Sequence, residues 1–367
     1  MKLVDLPTPC LVLDRGILAR NIATMGNAVS RHGVALRPHM KTAKSIDVAR
    51  MVFGGEVGSI TVSTLAEAEY FAGHGVRDML YAACITPRKL DRVAEINARG
   101  ARVIVVTDDA GVAAAIAGHP ARPDALIEID TGEGRSGIAP DEPALLEIAA
   151  RLGSGLAGVM THAGHSYSGR SIDDMRRFAA AERAGAVRAA ARLRAAGFPC
   201  RIVSAGSSPT ALHGTDFAGV TEVRAGVYMF GDLFQAEIGT HGLDDIAMTV
   251  LASVIGRRPA EGRIVIDAGG LALSKDRSTE AVPVDYGFGM VLDAQGKPSF
   301  GRAVVARAYQ EHGVVTFEPG RMPELSIGGR VRVAPNHTCM TAAAHERYYV
   351  VDGGDDVVAV WDRVNGW

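Results

Sequence analysis

The segment Pro38-His39-Met40-Lys41-Thr42 follows a short apolar run, Val34-Ala35-Leu36, so Lys41 falls where a strand gives way to a loop. A lysine there can stand in a pocket with its amine free. A partly desolvated amine has a lowered pKa and can form a Schiff base with an aldehyde. A lone lysine is far more often an ordinary surface residue. What sets this one apart is the company it keeps along the chain.

Two further segments carry chemistry. In His337-Thr338-Cys339, residues i and i+2 of a strand would point to one face, so an imidazole and a thiolate could share one ion. That donor pair suits Zn2+, and two protein ligands leave the open positions a catalytic metal needs. On spacing alone, a buried cysteine beside a surface histidine is the commoner arrangement. Gly206-Ser207-Ser208 offers small side chains, hydroxyl donors and close backbone approach. A following helical turn would aim free N–H groups at an anion such as phosphate. A serine-rich turn with an N-cap is the plainer alternative. Gly226-Val227 could add N–H donors.

These segments need elements to hold them. The first two thirds of the chain alternate between β-rich runs and Ala/Arg-rich helical stretches. Strands are expected at 34–37, 58–63, 78–84, 102–107, 125–130, 156–162, 201–205 and 222–229. Helices are expected at 43–53, 65–74, 87–98, 109–117, 141–152 and 173–196, with a short one within 207–218. Eight such units predict a (β/α)8 TIM-like barrel, whose chemistry gathers at the C-terminal ends of the strands. The polar clusters fall on those ends: Arg37, His39 and Lys41; Asp130 and Arg135; Thr161 to Tyr167; Ser204 to Thr210; Glu222 and Arg224. A doubly wound sheet would place G-x-G-x-x-G after its first strand, and none stands there.

From about residue 241 the runs become short, β-branched and separated by Gly, Pro and Asp, which predicts an all-β domain. Its strands are expected at 248–254, 263–267, 301–308, 314–318, 329–334, 347–352 and 357–361, joined by 10–13. The expected division is 14–240 for the barrel, with 1–13 and 241–367 forming the β domain.

Composition excludes several classes. With 39 basic and 41 acidic residues, the formal charge is -2, which favours neither nucleic acid nor an acidic tail. No apolar run approaches the ~20 residues that cross a bilayer. The N-terminus has Asp5, Pro7 and Pro9 where a signal peptide needs an apolar core, so a cytoplasmic protein is expected. The four cysteines form no C-x-x-C pair. Cys10, Cys84 and Cys200 read as small buried residues.

The stretches RPHMKTAKS, ITVSTLAEAE, IEIDTGEGRSG, GVMTHAGHSY, VSAGSSPT, TEVRAGVYMF, YQEHG and APNHTCMT occur in this order over nearly the whole chain. In them the chain resembles the fold-type III pyridoxal phosphate (PLP) enzymes, the superfamily that includes alanine racemase. It is most similar to the branch of D-serine dehydratase and D-threo-3-hydroxyaspartate dehydratase, whose sister branch is D-threonine aldolase. PHMKT with a distant HTC is specific for the branch; THAG and RAG alone are weak.

The resemblance implies the following roles. Lys41 forms the Schiff base with PLP and removes the substrate α-proton. His162 lies beside the cofactor ring, with Tyr167 of the same segment a further cofactor contact. Arg224 faces the pyridine nitrogen. Ser207, Ser208, Gly226 and Val227 cradle the phosphate. His337 and Cys339 hold Zn2+, which eases departure of the β-hydroxyl. A D-3-hydroxyamino acid would lose water and give an oxo acid and ammonia. A homodimer is implied as well. The alternatives are a metal-dependent D-3-hydroxyamino-acid aldolase, whose second ligand in D-threonine aldolases is aspartate; an amino-acid racemase, which needs no metal; and a non-catalytic PLP carrier, which would be a bare barrel.

Overall fold

A computed structural model describes residues 1–367. The chain forms two compact units: Thr24–Gly226 with Gly366–Trp367, and Met1–Ala23 with Val227–Asn365. The first strand, β1 (Cys10–Asp14), belongs to the second of these and is buried along its whole length.

The first unit is a barrel of eight parallel strands. They are β2 (Ala35–Pro38), β3 (Ile60–Val62), β4 (Asp78–Cys84), β5 (Arg102–Thr107), β6 (Ala125–Ile129), β7 (Leu156–Thr161), β8 (Ile202–Ala205) and β9 (Glu222–Ala225). Their order is β2-β9-β8-β7-β6-β5-β4-β3. A bridge between His39 and Thr61 joins β2 to β3, and Met40 N–H donates to the Thr61 carbonyl at 2.8 Å. This contact closes the barrel and fixes the residue before Lys41. Runs such as Val103-Ile104-Val105-Val106 are buried throughout, as strands covered on both faces must be. Leu80, Ile104, Val106, Leu126, Ala157 and Met160 pack as one apolar cluster.

The intervening helices match the expected ones closely. Side-chain caps at Thr64, Asp109 and Ser171 start three of them. The helix Arg15–Ser30 has no counterpart in the sequence reading, because Gly16 and Gly26 dilute its pattern. The last barrel helix shrinks to Ser208–His213. The strand expected over 222–229 ends at Ala225, and Val227–Met229 turn into a 3-10 helix.

The second unit adds β10 (Met248–Arg258), β11 (Arg263–Ile266), β12 (Met290–Leu292), β13 (Val304–Ala308), β14 (Gly313–Thr316), β15 (Arg330–Ala334), β16 (Arg347–Val351) and β17 (Ala359–Asp362). The order is β11-β14-β13-β12-β15-β10-β1-β16-β17, and β10 also pairs with β11. Six strands thus close on themselves, which removes their open edges. β1 runs antiparallel to β10 and parallel to β16, so the N-terminal strand joins this domain as expected. Sequence reading had missed only the three-residue β12.

Candidate active site

Lys41 stands one residue beyond the closing contact, in a turn over residues 40–43. Its backbone N–H donates to His39 Nδ1 at 3.3 Å. Its side chain is exposed, not partly desolvated as its place at a strand end had implied, because the turn carries it out of the packed strand. The amine enters no ion pair. Its charge still acts on two histidines of the rim, His39 and His162.

His162 follows β7, and its Nδ1 lies 3.0 Å from the Gly206 carbonyl. A carbonyl only accepts, so Nδ1 carries the proton and Nε2 the lone pair. Burial pulls the imidazole down to about 3; the Gly206 bond opposes this, and the charges of Lys41, Arg224 and Arg135 reinforce it. His39 is likewise held well below its ordinary value by burial and by Lys41. Both rings are neutral at physiological pH.

Arg224, on β9, is 3% exposed and donates to Ser204 Oγ at 2.6 Å and to the Thr161 carbonyl at 2.6 Å. Burial lowers its pKa, against the pull of Glu222, Glu182 and Glu128. Ser204 Oγ in turn donates to Glu222 at 2.7 Å, and Glu222 accepts from Arg37 at 2.8 Å. Arg37 continues to Asp78 at 3.2 Å. A polar seam therefore crosses β7, β8, β9, β2 and β4.

Ser207 caps the helix Ser208–His213, accepting from Thr210 N–H, and its hydroxyl meets that of Ser166 at 2.8 Å. Tyr167 Oη accepts from Ser208 N–H at 3.4 Å. The sequence-predicted Tyr167, Ser207 and Ser208 are thus neighbours. Gly206 has φ +122, and a Cβ there would stand 2.5 Å from the Arg224 carbonyl. A Cβ on Gly226 would meet the His39 carbonyl at 2.7 Å. Both positions need glycine. Val227 is buried next to Gly226 in the chain.

One atom tests whether this cradle fits an anion. Ser208 Oγ is buried and has no hydrogen-bond partner. A buried hydroxyl left unpaired costs about 1–3 kcal/mol. A phosphate oxygen would satisfy it, so the residues present fit PLP.

In the other unit, the His337-Thr338-Cys339 segment is not a strand. β15 ends at Ala334, Pro335 cannot donate to a ladder, and His337 caps a short helix, Thr338–Ala342. The two side chains meet all the same, through a hydrogen bond between His337 and Cys339. His337 Nδ1 lies 3.3 Å from Asp276 Oδ2. Thr338 is pinned through its N–H to Asp232 at 3.0 Å, and Asn336 through its amide to the Gly287 carbonyl at 2.7 Å. Despite burial, His337 is raised to about 11 by Asp276 and Cys339. No three His, Cys, Asp or Glu side chains are placed to hold a metal by themselves. The imidazole–thiol pair fits a divalent ion by its donor chemistry, with Asp276 on Nδ1 leaving Nε2 to ligate.

Glu182, within an Ala/Arg-rich helix, Asp78, at the start of β4, and Asp276, in a loop, escaped sequence reading; Glu222 did not, but it stands at the start of β9 and not at its C-terminal end. Of the three missed, only Glu182 carried a signal, a charge on an apolar stripe.

Cys84 is half-buried, with its thiol donating to Glu128 at 3.1 Å, and is not the simple apolar residue expected.

The Alanine racemase, N-terminal domain family matches residues 13–233, and the family described as Putative serine dehydratase domain matches residues 247–351. The chain is 42% identical to the D-threo-3-hydroxyaspartate dehydratase of Delftia sp. strain HT23, over 100% of this chain and 99% of that one. It is 30% identical to a D-threonine aldolase of Arthrobacter sp., over 98% of this chain and 93% of that one. Solved structures of the Delftia enzyme superpose with a TM-score of 0.95 at 41% identity, covering 100% of both chains. One is a cysteine-to-alanine mutant in the metal-free form; another is a mutant whose histidine, two positions earlier, is alanine.

Proposed function

Since the chain belongs to the Alanine racemase, N-terminal domain family, we propose that it is a PLP- and zinc-dependent dehydratase that eliminates water from a D-3-hydroxyamino acid. The observation that carries this reading is the contact between His337 and Cys339. A nitrogen–sulfur pair suits zinc, and the Delftia dehydratase has been studied as a metal-free cysteine mutant.

PLP bound at Lys41 supplies an electron sink for the substrate α-carbon, and a divalent ion at His337 and Cys339 supplies a Lewis acid for the leaving hydroxyl. The protein's own groups do the rest. The amine of Lys41, free of ion pairs, takes the α-proton on the face it occupies. His162, neutral and tied to Gly206, offers a flat uncharged face and gives up no proton. Arg224, fixed by Ser204 and Thr161, presents a cation that does not release its proton. Ser207, Ser208 and the N–H groups at Gly226 and Val227 bind the phosphate, with Tyr167 steadying Ser208. Water is lost across Cα–Cβ, and the product hydrolyses to an oxo acid and ammonia.

The resemblance also carries a cytoplasmic homodimer; no helix is long and apolar enough to cross a membrane. Purified protein given PLP and zinc should convert D-serine, D-threonine or a D-3-hydroxyaspartate to oxo acid and ammonia. Glycine plus an aldehyde as the main products would identify an aldolase instead.

A further inference from the structure

The helix Ile172–Ala195 buries Met175, Ala179, Glu182, Ala186, Ala189 and Leu193. Their spacing of three and four residues makes one stripe. Glu182 is the only charge on it and is 1% exposed. A carboxylate in such a place needs partners. Its Oε1 accepts from Ala163 N–H at 2.9 Å and from Gly206 N–H at 2.9 Å. Its Oε2 accepts from the Thr210 hydroxyl at 2.8 Å.

Each partner adjoins a site residue. Ala163 follows His162, and Gly206 precedes Ser207. The His162 ring closes back on the Gly206 carbonyl at 3.0 Å, which completes a circuit through Oε1. Thr210 Oγ1 also accepts Ser207 N–H at 3.0 Å, so Oε2 reaches the cap of the serine loop.

We propose that Glu182 is a positioning residue for the cofactor site. One carboxylate holds the loop after β7 and the loop after β8 in a single register. It thereby fixes His162 as the Nδ1–H tautomer and presents Ser207 and Ser208 to the phosphate. The inference rests on the reading that these residues hold PLP.

The test is Glu182→Gln, which keeps the shape. The amide oxygen can still take both N–H groups, but the charge is lost and an NH2 now faces the Thr210 hydroxyl, which must give up its donor role. Charge-assisted bonds are about twice as strong as neutral ones, so the PLP dissociation constant of the apo-protein should rise about tenfold. The nitrogen NMR shifts of His162 should move toward a mixed tautomer, while thermal unfolding of the apo-protein stays near wild type. Glu182→Ala strands two buried N–H groups and a hydroxyl, so its larger loss is read only against Glu182→Gln. Unchanged affinity and an unchanged His162 tautomer in Glu182→Gln would overturn the proposal. So would weaker PLP binding that merely tracks lost folded protein, with His162 unaltered. Ser207→Asp is the control. If it too binds PLP as wild type does, the phosphate reading is wrong and the proposal falls with it; if it loses PLP and Glu182→Gln does not, only the proposal fails.

Discussion

His162 donates from Nδ1 to the carbonyl of Gly206 at 3.0 Å, which commits the ring to one tautomer, while desolvation of the partly buried ring keeps it neutral. His39 is kept neutral by the same desolvation and by Lys41.

A pH dependence follows. The unfolded chain binds a proton on each of these histidines near pH 6.5, whereas the folded chain does so only well below that. Unfolding therefore takes up protons in acid, and the stability these neutral rings contribute falls as pH drops through about 6.5. Each histidine adds a slope approaching about 1.4 kcal/mol per pH unit. Denaturant titrations of the apo-protein across this range should show it. His162→Asn, whose amide can still donate to Gly206, should reduce the slope by one proton's worth; an unaltered slope would mean that His162 is charged in the folded protein.

Ser207→Asp separates binding from folding. Aspartate is as good an N-cap as serine, so it can still accept from Thr210 N–H. It also sets an anion against the phosphate. PLP affinity, measured by absorbance titration, should fall far more than the melting temperature. Equal affinity would move the phosphate site elsewhere.

Much of this arrangement was legible in the sequence, for definite reasons. The barrel strands are runs such as Arg102–Thr107, whose β-branched residues are buried on both faces and announce themselves. The Lys41 turn and the Ser207 loop are short-range features. Other parts depend on partners distant in the chain. Arg37 meets Glu222 across 185 residues, and His337 meets Asp276 across 61. No local pattern encodes such pairs. The helix beginning at Thr338 was misread as strand because one turn around Pro335 outweighs the β-rich run before it.

Asp276 should matter to the metal without ligating it. It accepts from His337 Nδ1 and so orients Nε2. Partners of this kind are worth roughly 10–100-fold in metal affinity. Asp276→Ala should lose zinc to a competing chelator by about that factor. Unchanged affinity would leave Asp276 with a structural role only. Chelation of the wild-type enzyme should stop oxo-acid formation while the absorbance band of the Lys41-linked cofactor persists.

The most direct measurement concerns Lys41. Borohydride reduction of the PLP-loaded protein, followed by proteolysis and mass analysis, should place the cofactor on the peptide that carries Lys41. Lys41→Ala should lose both that label and turnover, the latter by roughly 10²–10⁴-fold or more. A label on any other lysine would contradict the account.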